Sequence, residues 1–409
     1  MKRIITAFIL CFAGMTISAQ GVNMSYYLNE FSLAGSSFEY RLQLLETIRD
    51  DGLTGIGEFY HEALKVLNAK FPDIKNKEER DAIEASATIV ARGIREEKYG
   101  NAAADLWQAV QIYDVAMEYN QGLVMQEFLI TMGEVEAKEY LPHLVRRLSD
   151  INTRVITDQE SRRRVQRAVV GLIRALEMFG EPDGFRPVFL ASVGWYDPNI
   201  KLIASTALPN ILEDPSDIIG EIIRDNSVTP SIKYEAWREM LRSNASDSSM
   251  SKVAAIALAT GWLYSTSNPI FQRDLRDMRK SAIDAIRMRG TEDLSVYIDL
   301  ERSYYNNFIN PVPDYDEINK AVACLGALGT DEAVNLLMKF LQELHSRRRF
   351  GPWSNRERQA FGWVVPALGA TGSQSPDVRL LLMTIQRTSD YTTAEQRWAR
   401  EALAQISDR

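Results

Sequence analysis

INKAVACLGALGTDEAVNLLMKFLQEL, residues 318–344, is the stretch of this chain that decides its fold. In its first half, apolar side chains recur three and four residues apart, at Ile318, Ala321, Val322, Leu325 and Leu328. The second half repeats this spacing at Val334, Leu337, Met338, Leu341 and Leu344. Between the halves, Gly329 suits the left-handed end of one helix, and Thr330 suits the cap of the next. The stretch therefore predicts two amphipathic helices joined by a very short turn.

Breaks between helices recur along the chain. The residues that mark them are Gly133, Gly180, a position near Asp214, Asn244, Gly290, Gly329 and Gly372. Several intervals between these breaks match the ~40 to 47 residues of long helical-repeat units. Because stacked repeats share a core along their whole length, we expect one continuous all-α body.

Two of the expected helices carry an internal match with identical spacing. Pro198, Ile200, Lys201, Ala204 and Leu208 correspond to Pro230, Ile232, Lys233, Ala236 and Met240. Proline begins a helix, the small alanine lets neighbouring helices approach, and the basic residue is expected to stay at the edge.

With this apolar-basic-x-x-Ala-x-x-x-Leu pattern, the chain resembles the HEAT-repeat (armadillo-like) family of α-solenoids. The resemblance implies an all-α fold, a right-handed α-solenoid of stacked antiparallel helix pairs. It also implies prolines such as Pro209 and Pro366 inside the first helices of pairs. The function it implies is that of a scaffold or adaptor.

The N-terminus predicts a secretory signal peptide over residues 1–19, with Lys2 and Arg3 before an apolar core and a cut after Ala19. An uncleaved anchor is the alternative, but the apolar core is shorter than the ~20 residues of a membrane span. We expect a flexible lead-in over residues 20–37. We expect the solenoid over residues 38–409, with divergent repeats in 38–120 and clearer ones in 121–409. We therefore expect a periplasmic or secreted protein with no transmembrane segment after cleavage.

The charge and the cysteines narrow the classes of partner. A formal net charge of −8 disfavours nucleic acid. Cleavage of the signal peptide removes Cys11 and leaves Cys324 alone, so no intramolecular disulfide can form. Cys324 lies on an apolar repeat helix and is expected to be a buried, inert thiol. The sequence does not give the oligomeric state.

No arrangement of residues points to catalysis, a cofactor or a metal. The three histidines, His61, His143 and His345, share no metal-ligand spacing. Lys65 stands where a zinc-protease helix that begins at His61 would need its second histidine. The sequence therefore predicts a noncatalytic protein, with a hydrolase assembled from scattered residues as the least favoured alternative.

We expect long connections between helix pairs at residues 149–160, 260–271, 303–316 and 346–355. They carry aromatic and arginine side chains, a composition typical of protein interfaces. The candidate partner-binding residues are Trp195, Tyr196, Trp262, Tyr264, Tyr304, Tyr305, Phe308, Arg347, Arg348, Arg349, Phe350, Trp353, Arg163 and Arg164. We expect them to hold a protein partner along the loop-rich ridge or the concave face. Two alternatives stay open: the rings recognise a cell-envelope polysaccharide, or they fold back over their own helix ends beside solvated arginines.

Overall fold

The computed structural model describes residues 24–33, 35–74, 76–115, 121–154, 156 and 158–407. They form two compact units that divide between Leu212 and Glu213, a boundary that the sequence did not mark. The predicted signal peptide lies outside the described residues. Within the described ranges, both units consist of α-helices and short 3-10 turns, with no strand.

Ten α-helices make up the described part of the first unit. They are α1 Met24–Ser32, α2 Phe38–Asp50, α3 Gly57–Lys70, α4 Lys77–Glu96, α5 Ala103–Val115, α6 Gln121–Glu134, α7 Leu141–Thr153, α8 Gln159–Phe179, α9 Phe185–Val193 and α10 Pro198–Ile211. The even-numbered helices pack side by side in chain order as one layer. In a second layer, α1, α3 and α5 pack in order, and α7 packs on α9.

The second unit repeats this plan. Its helices are α11 Ser216–Arg224, α12 Pro230–Arg242, α13 Asp247–Leu263, α14 Pro269–Arg289, α15 Ser295–Ile309, α16 Tyr315–Leu328, α17 Asp331–Phe350, α18 Asn355–Thr371, α19 Pro376–Arg387 and α20 Thr393–Ser407. From α12 to α20 the even-numbered helices form one layer, and from α11 to α17 the odd-numbered helices form the other. The predicted fold class, an all-α solenoid of stacked antiparallel helix pairs, is confirmed within each unit.

The decisive stretch folds into α16 and α17 as predicted. Gly329 ends α16 in the left-handed conformation, with φ 61°. The Thr330 hydroxyl then caps α17 by accepting from the Ala333 N–H. Inside α16, a Cβ added to Gly326 would lie 3.0 Å from the carbonyl oxygen of Ala367. Glycine at this position therefore lets α16 and α18 pack closely.

The matched pattern in α10 and α12 gives one correction. Pro198 and Pro230 begin these helices, and Ala204 and Ala236 are fully buried, as predicted. The basic residue of α12 was expected at the edge, but Lys233 is completely buried. Its ammonium has partners inside the unit, which are described below.

The predicted lead-in and the predicted break at Gly133 also differ from the structure. Part of the lead-in is helical, because α1 buries Phe31 and that residue's carbonyl accepts from Arg41. Gly133 stays inside α6, where an added Cβ would lie 3.0 Å from the Cα of Ala175 on α8. Close helix packing accounts for this glycine, and the break follows at Glu136, with φ 54°.

The connections are shorter than predicted. Helix α15 continues to Ile309 and α17 continues to Phe350, into segments that were expected to be loops. Pro209 and Pro366 lie inside α10 and α18, as the resemblance implied. None of the helices among the described residues is long and apolar enough to span a bilayer.

Candidate interaction surfaces

A recurring side-chain bond ties the even-numbered helices to the segments that precede them. In six of these helices, the fourth residue donates to a backbone carbonyl in the preceding segment. The donors are Arg41, Arg80, Arg162, Lys233, Gln272 and Gln396. We call these six the anchor residues. Carbonyls at helix ends and in loops lack an intrahelical partner, so a long side chain at this position satisfies them.

Aromatic rings cover the cationic anchors. The distances from the cation to the ring centroid are 5.1 Å for Arg41 and Phe38, 5.7 Å for Arg80 and Phe71, 5.7 Å for Arg162 and Trp195, and 4.7 Å for Lys233 and Tyr264. Cation–π contact of this kind stabilises a partly desolvated charge. Trp195 and Tyr264, two rings predicted to bind a partner, therefore pack on cations of their own units.

Lys233 is the most enclosed anchor. Its ammonium donates to the carbonyl oxygens of Ile223 and Asp225, the latter at 2.6 Å, and lies under Tyr264. Burial lowers the pKa of this lysine. The Tyr264 hydroxyl donates to Oδ1 of Asn226 at 2.8 Å, which further fixes the ring.

Tyr196 was predicted to face a partner, but it is buried. Its ring stacks on Trp195 at a centroid distance of 4.3 Å, and its hydroxyl donates to Oδ1 of Asn152 at 2.7 Å. Burial raises the pKa of this tyrosine. The contacts hold the segment between α9 and α10 against α7.

Trp262 is part of an ion-pair cluster. The Arg279 guanidinium lies 3.9 Å from the Trp262 ring centroid and makes a two-pronged pair with the buried Glu317, at 2.7 and 2.9 Å. The indole N–H donates to Oγ of Ser303 at 3.1 Å. A bidentate pair with a ring over it fixes α14 against α13 and α16.

Tyr304, Tyr305 and Phe308 lie on α15 rather than in a loop. Tyr304 and Phe308 are buried, and Tyr304 stacks on Phe340 of α17 at 3.8 Å. The Tyr305 hydroxyl donates to Oε2 of Glu343 at 2.9 Å. Tyr304 and Phe308 are therefore not available to a partner, and Tyr305 is half-buried, because the longer α15 turns these rings towards α17.

Trp353 was also predicted to be exposed, but it belongs to the core. It is 5% exposed, its ring packs on Phe361, and its indole N–H donates to the Leu344 carbonyl at 3.1 Å. Arg348 lies over the ring at 5.3 Å and donates to the carbonyl of Asp390 at 2.8 Å. The short segment after α17 thus folds back onto its own helix end.

Three neighbouring candidates remain exposed. Arg347 pairs with Glu343 at 2.8 Å, which leaves it at the surface. Arg349 makes no hydrogen bond or ion pair with any part of the chain that the structure describes. Phe350, at the end of α17, has no ring contact within the same part of the chain and is almost fully exposed.

Phe350 is one of five large apolar side chains exposed on one edge of the second unit. The five are Leu263, Ile270, Ile309, Val312 and Phe350, with exposed fractions of 75, 56, 68, 82 and 92%. They lie at the connections that follow α13, α15 and α17, which share an edge because the helices alternate in direction. Arg356 joins two of these connections by donating to the carbonyl of Phe308 at 2.6 Å. We call the five residues the apolar ridge.

In the first unit, the two predicted arginines differ. Arg163 is exposed, and Arg164 pairs with Glu160 one turn away on α8. The sequence analysis did not single out a nearby pocket of about 200 Å³, which Trp107, His143 and several arginines line. An excess of arginine in residues 141–167 was the signal that could have found it.

A second surface that the sequence analysis missed lies between α18 and α20. A groove of about 430 Å³ is lined by the indoles of Trp363 and Trp398 together with Asn355, Arg358 and Gln359. Gly362 forms part of its wall, and an added Cβ there would lie 3.3 Å from the Trp398 ring. Aromatic faces beside amide groups can stack on a ligand and hydrogen-bond to it.

The described residues offer little reactive chemistry. Within them, no three His, Cys, Asp or Glu side chains come together as a metal site. His61 bonds Oδ2 of Asp105 at 2.7 Å. Burial raises the pKa of the Cys324 thiol to about 12, so the thiol stays protonated at neutral pH.

Comparisons with known proteins bear on the fold. The family profile of the PBS lyase HEAT-like repeat matches residues 320–343, which include the turn between α16 and α17. No curated protein matches the chain. One matching solved structure comes from work on a conserved phosphorylation switch that controls the interaction between cadherin and beta-catenin. It is 12% identical, 94% of each chain is covered, and the TM-score is 0.34, too low to carry an argument.

Proposed function

We propose that this HEAT-like repeat protein is a noncatalytic exported scaffold that holds a protein partner against the apolar ridge of its second unit. The observation that carries the proposal is the ridge itself. Five large apolar side chains stand in water on one edge, although the rings around them are buried. Apolar side chains exposed to water cost free energy, and their concentration on one edge is typical of a docking site.

The charges beside the ridge suit an acidic partner. Arg349 and Arg347 flank Phe350 at the end of α17, and both are exposed. Phe350 would insert into the partner while the Arg349 guanidinium, which has no side-chain partner among the described residues, binds a carboxylate beside it. Gln272 holds the connection after α13, and Arg356 bonds to the Phe308 carbonyl at the end of α15, so these parts of the ridge are presented without a large ordering cost.

A pair of photo-crosslinking probes tests the ridge. One is placed at Val312, and its matched control at Leu294, which is 66% exposed at the opposite end of α15. We expect one protein to be captured from Val312 and none from Leu294. Capture should fall about tenfold in a Phe350→Ser, Ile309→Ser double variant, because central apolar anchors carry most of the binding energy. Equal capture from both probes, or undiminished capture in the double variant, would refute the proposal that the apolar ridge binds the partner.

The export part of the proposal has its own test. Cell fractionation followed by N-terminal sequencing should find a mature chain beginning at Gln20 outside the cytoplasm. A cytoplasmic chain that still begins with Met1 would refute export and would not affect the proposal that the apolar ridge binds a partner.

The tryptophan groove favours a second function, recognition of a cell-envelope polysaccharide. Two indole faces beside Asn355 and Gln359 match the stacking and hydrogen-bonding groups of a sugar. If the groove binds glycan, Trp363→Ala should abolish sedimentation with purified cell-wall glycan, and Phe350→Ser should not change it. Loss of sedimentation only in the Phe350 variant would assign the glycan to the ridge instead.

A further inference from the structure

A basic pocket in the first unit stands apart from the ridge. It lies between α5, α7 and α8 and encloses about 200 Å³. Trp107 of α5 forms one wall, with its ring centroid 5.2 Å from that of His143 on α7. Arg146 and Arg147 of α7, and Arg154 directly after it, also line the pocket. We call this the arginine pocket.

The charge of this region opposes that of the whole protein. Residues 141–167 contain seven arginines and three acidic residues, although the chain carries a net charge of −8. One acid, Asp150, lines the pocket beside the three arginines, so acidic side chains are outnumbered there. Such a concentration of positive charge favours a bound anion.

The free guanidinium groups distinguish the pocket from the rest of α7 and α8. The side chains of Arg146 and Arg154 are exposed, and their guanidinium groups make no hydrogen bond or ion pair with any described residue. By contrast, Arg162 is an anchor residue, and Arg164 pairs with Glu160. Arg146 and Arg154 thus keep all their donors for a ligand, in the forked geometry that suits carboxylates and phosphates.

We infer that the arginine pocket binds an oxyanion, a carboxylate or a phosphate, carried by a peptide segment of a protein partner. The volume admits one such group with its stem and is below the range of pockets for drug-sized ligands. Arg146 and Arg154 bind the oxygens, Arg147 adds a third positive charge, and the Trp107 face covers the apolar stem. The inference does not depend on the apolar ridge, which lies in the other unit.

The test uses the purified full chain and three labelled peptides of one length. One is rich in Asp and Glu, one carries phosphoserine, and one is the neutral Asn and Gln analogue. We expect one or both anionic peptides to bind with a salt-dependent affinity, and the neutral peptide not to bind. Competition by inorganic phosphate against the phosphopeptide alone would identify phosphate as the recognised group. Binding of only the acidic peptide would identify the carboxylate.

Matched arginine pairs make the test specific. Arg146→Gln with Arg154→Gln should weaken binding at least tenfold, because charge-assisted bonds to two guanidinium groups are lost. Arg49→Gln with Arg167→Gln removes the same charge from exposed positions of α2 and α8 outside the pocket and should leave affinity within about twofold. Both pairs are exposed, so the melting temperatures should match that of the wild type. Equal weakening by both pairs, binding of the neutral peptide, or no binding of any peptide would overturn the inference.

Discussion

Two aromatic residues three positions apart should respond oppositely to truncation. Phe350 is 92% exposed, whereas Trp353 is 5% exposed and bonded to the Leu344 carbonyl. The sequence placed both in one partner-binding set. Trp353→Ala should therefore destabilise the second unit, and Phe350→Ala should leave its stability unchanged while weakening partner capture.

The contacts give the magnitude. Removing a packed tryptophan costs about 3–5 kcal/mol, since the surroundings collapse only partly into the cavity. Here Phe361 and Tyr391 would each lose their contact with the indole of Trp353, and Arg348 would lose its cation–π contact with the same ring. A surface substitution such as Phe350→Ala stays within about 0.5 kcal/mol. For a unit of roughly 200 residues, the melting temperature should fall by about 6 to 20 °C in the tryptophan variant and by no more than about 2 °C in the other.

Hydrogen exchange of the α17 and α18 amides reports this difference locally, which matters because the chain has two units and need not unfold in one step. Faster exchange of those amides is expected only in Trp353→Ala. Unchanged exchange in Trp353→Ala, or a comparable loss in Phe350→Ala, would show that the division between structural and exposed rings is mistaken.

Three further predictions concern Lys233, Cys324 and His345. Lys233→Met should cost about 2–4 kcal/mol because two carbonyls lose a charged donor, whereas Lys201→Met, at the matched position of α10, should change stability little; urea unfolding measures both. Cys324 should react with iodoacetamide only after unfolding, as peptide mass spectrometry would show, and labelling of the native protein would contradict its burial. Burial, then Arg349, lowers the pKa of His345, so the unfolded chain takes up its proton at a higher pH than the folded chain. Stability should therefore fall as the pH drops below about 6.5, and His345→Gln should reduce that fall.

The helix pairs and their caps could be predicted from the sequence because local chemistry determines them. Gly329 and Thr330 act through their own backbone and the next turn, and Pro230 fixes the dihedral angle at a helix start. The same reasoning wrongly predicted a break between helices at Gly133. Its role is the close approach to Ala175, a contact between helices that only the packed structure reveals.

The candidate site was harder to predict because exposure depends on where a helix ends. Extending α15 to Ile309 places Tyr304 on a helix face that meets Phe340, so the ring is buried. Val312 and Ile309 carry no aromatic signal, and yet they remain in water. Composition therefore pointed to the edge of the second unit that carries the apolar ridge, but most of the residues it selected there pack against their own unit.

The anchor residues explain why composition misleads in this fold. A cation at the fourth position of an even-numbered helix satisfies carbonyls that precede it, and an aromatic ring covers the cation. Arg162 with Trp195 and Lys233 with Tyr264 are two cases. In the sequence alone, each pair has the composition of a protein interface. Arginine and aromatic residues at that register position are therefore expected in a chain with no partner at all. Arginine and aromatic residues that this fourth-position pattern does not explain are better evidence of a binding site. Arg146 in the first unit and Phe350 in the second are such residues, so the proposed sites are built around them.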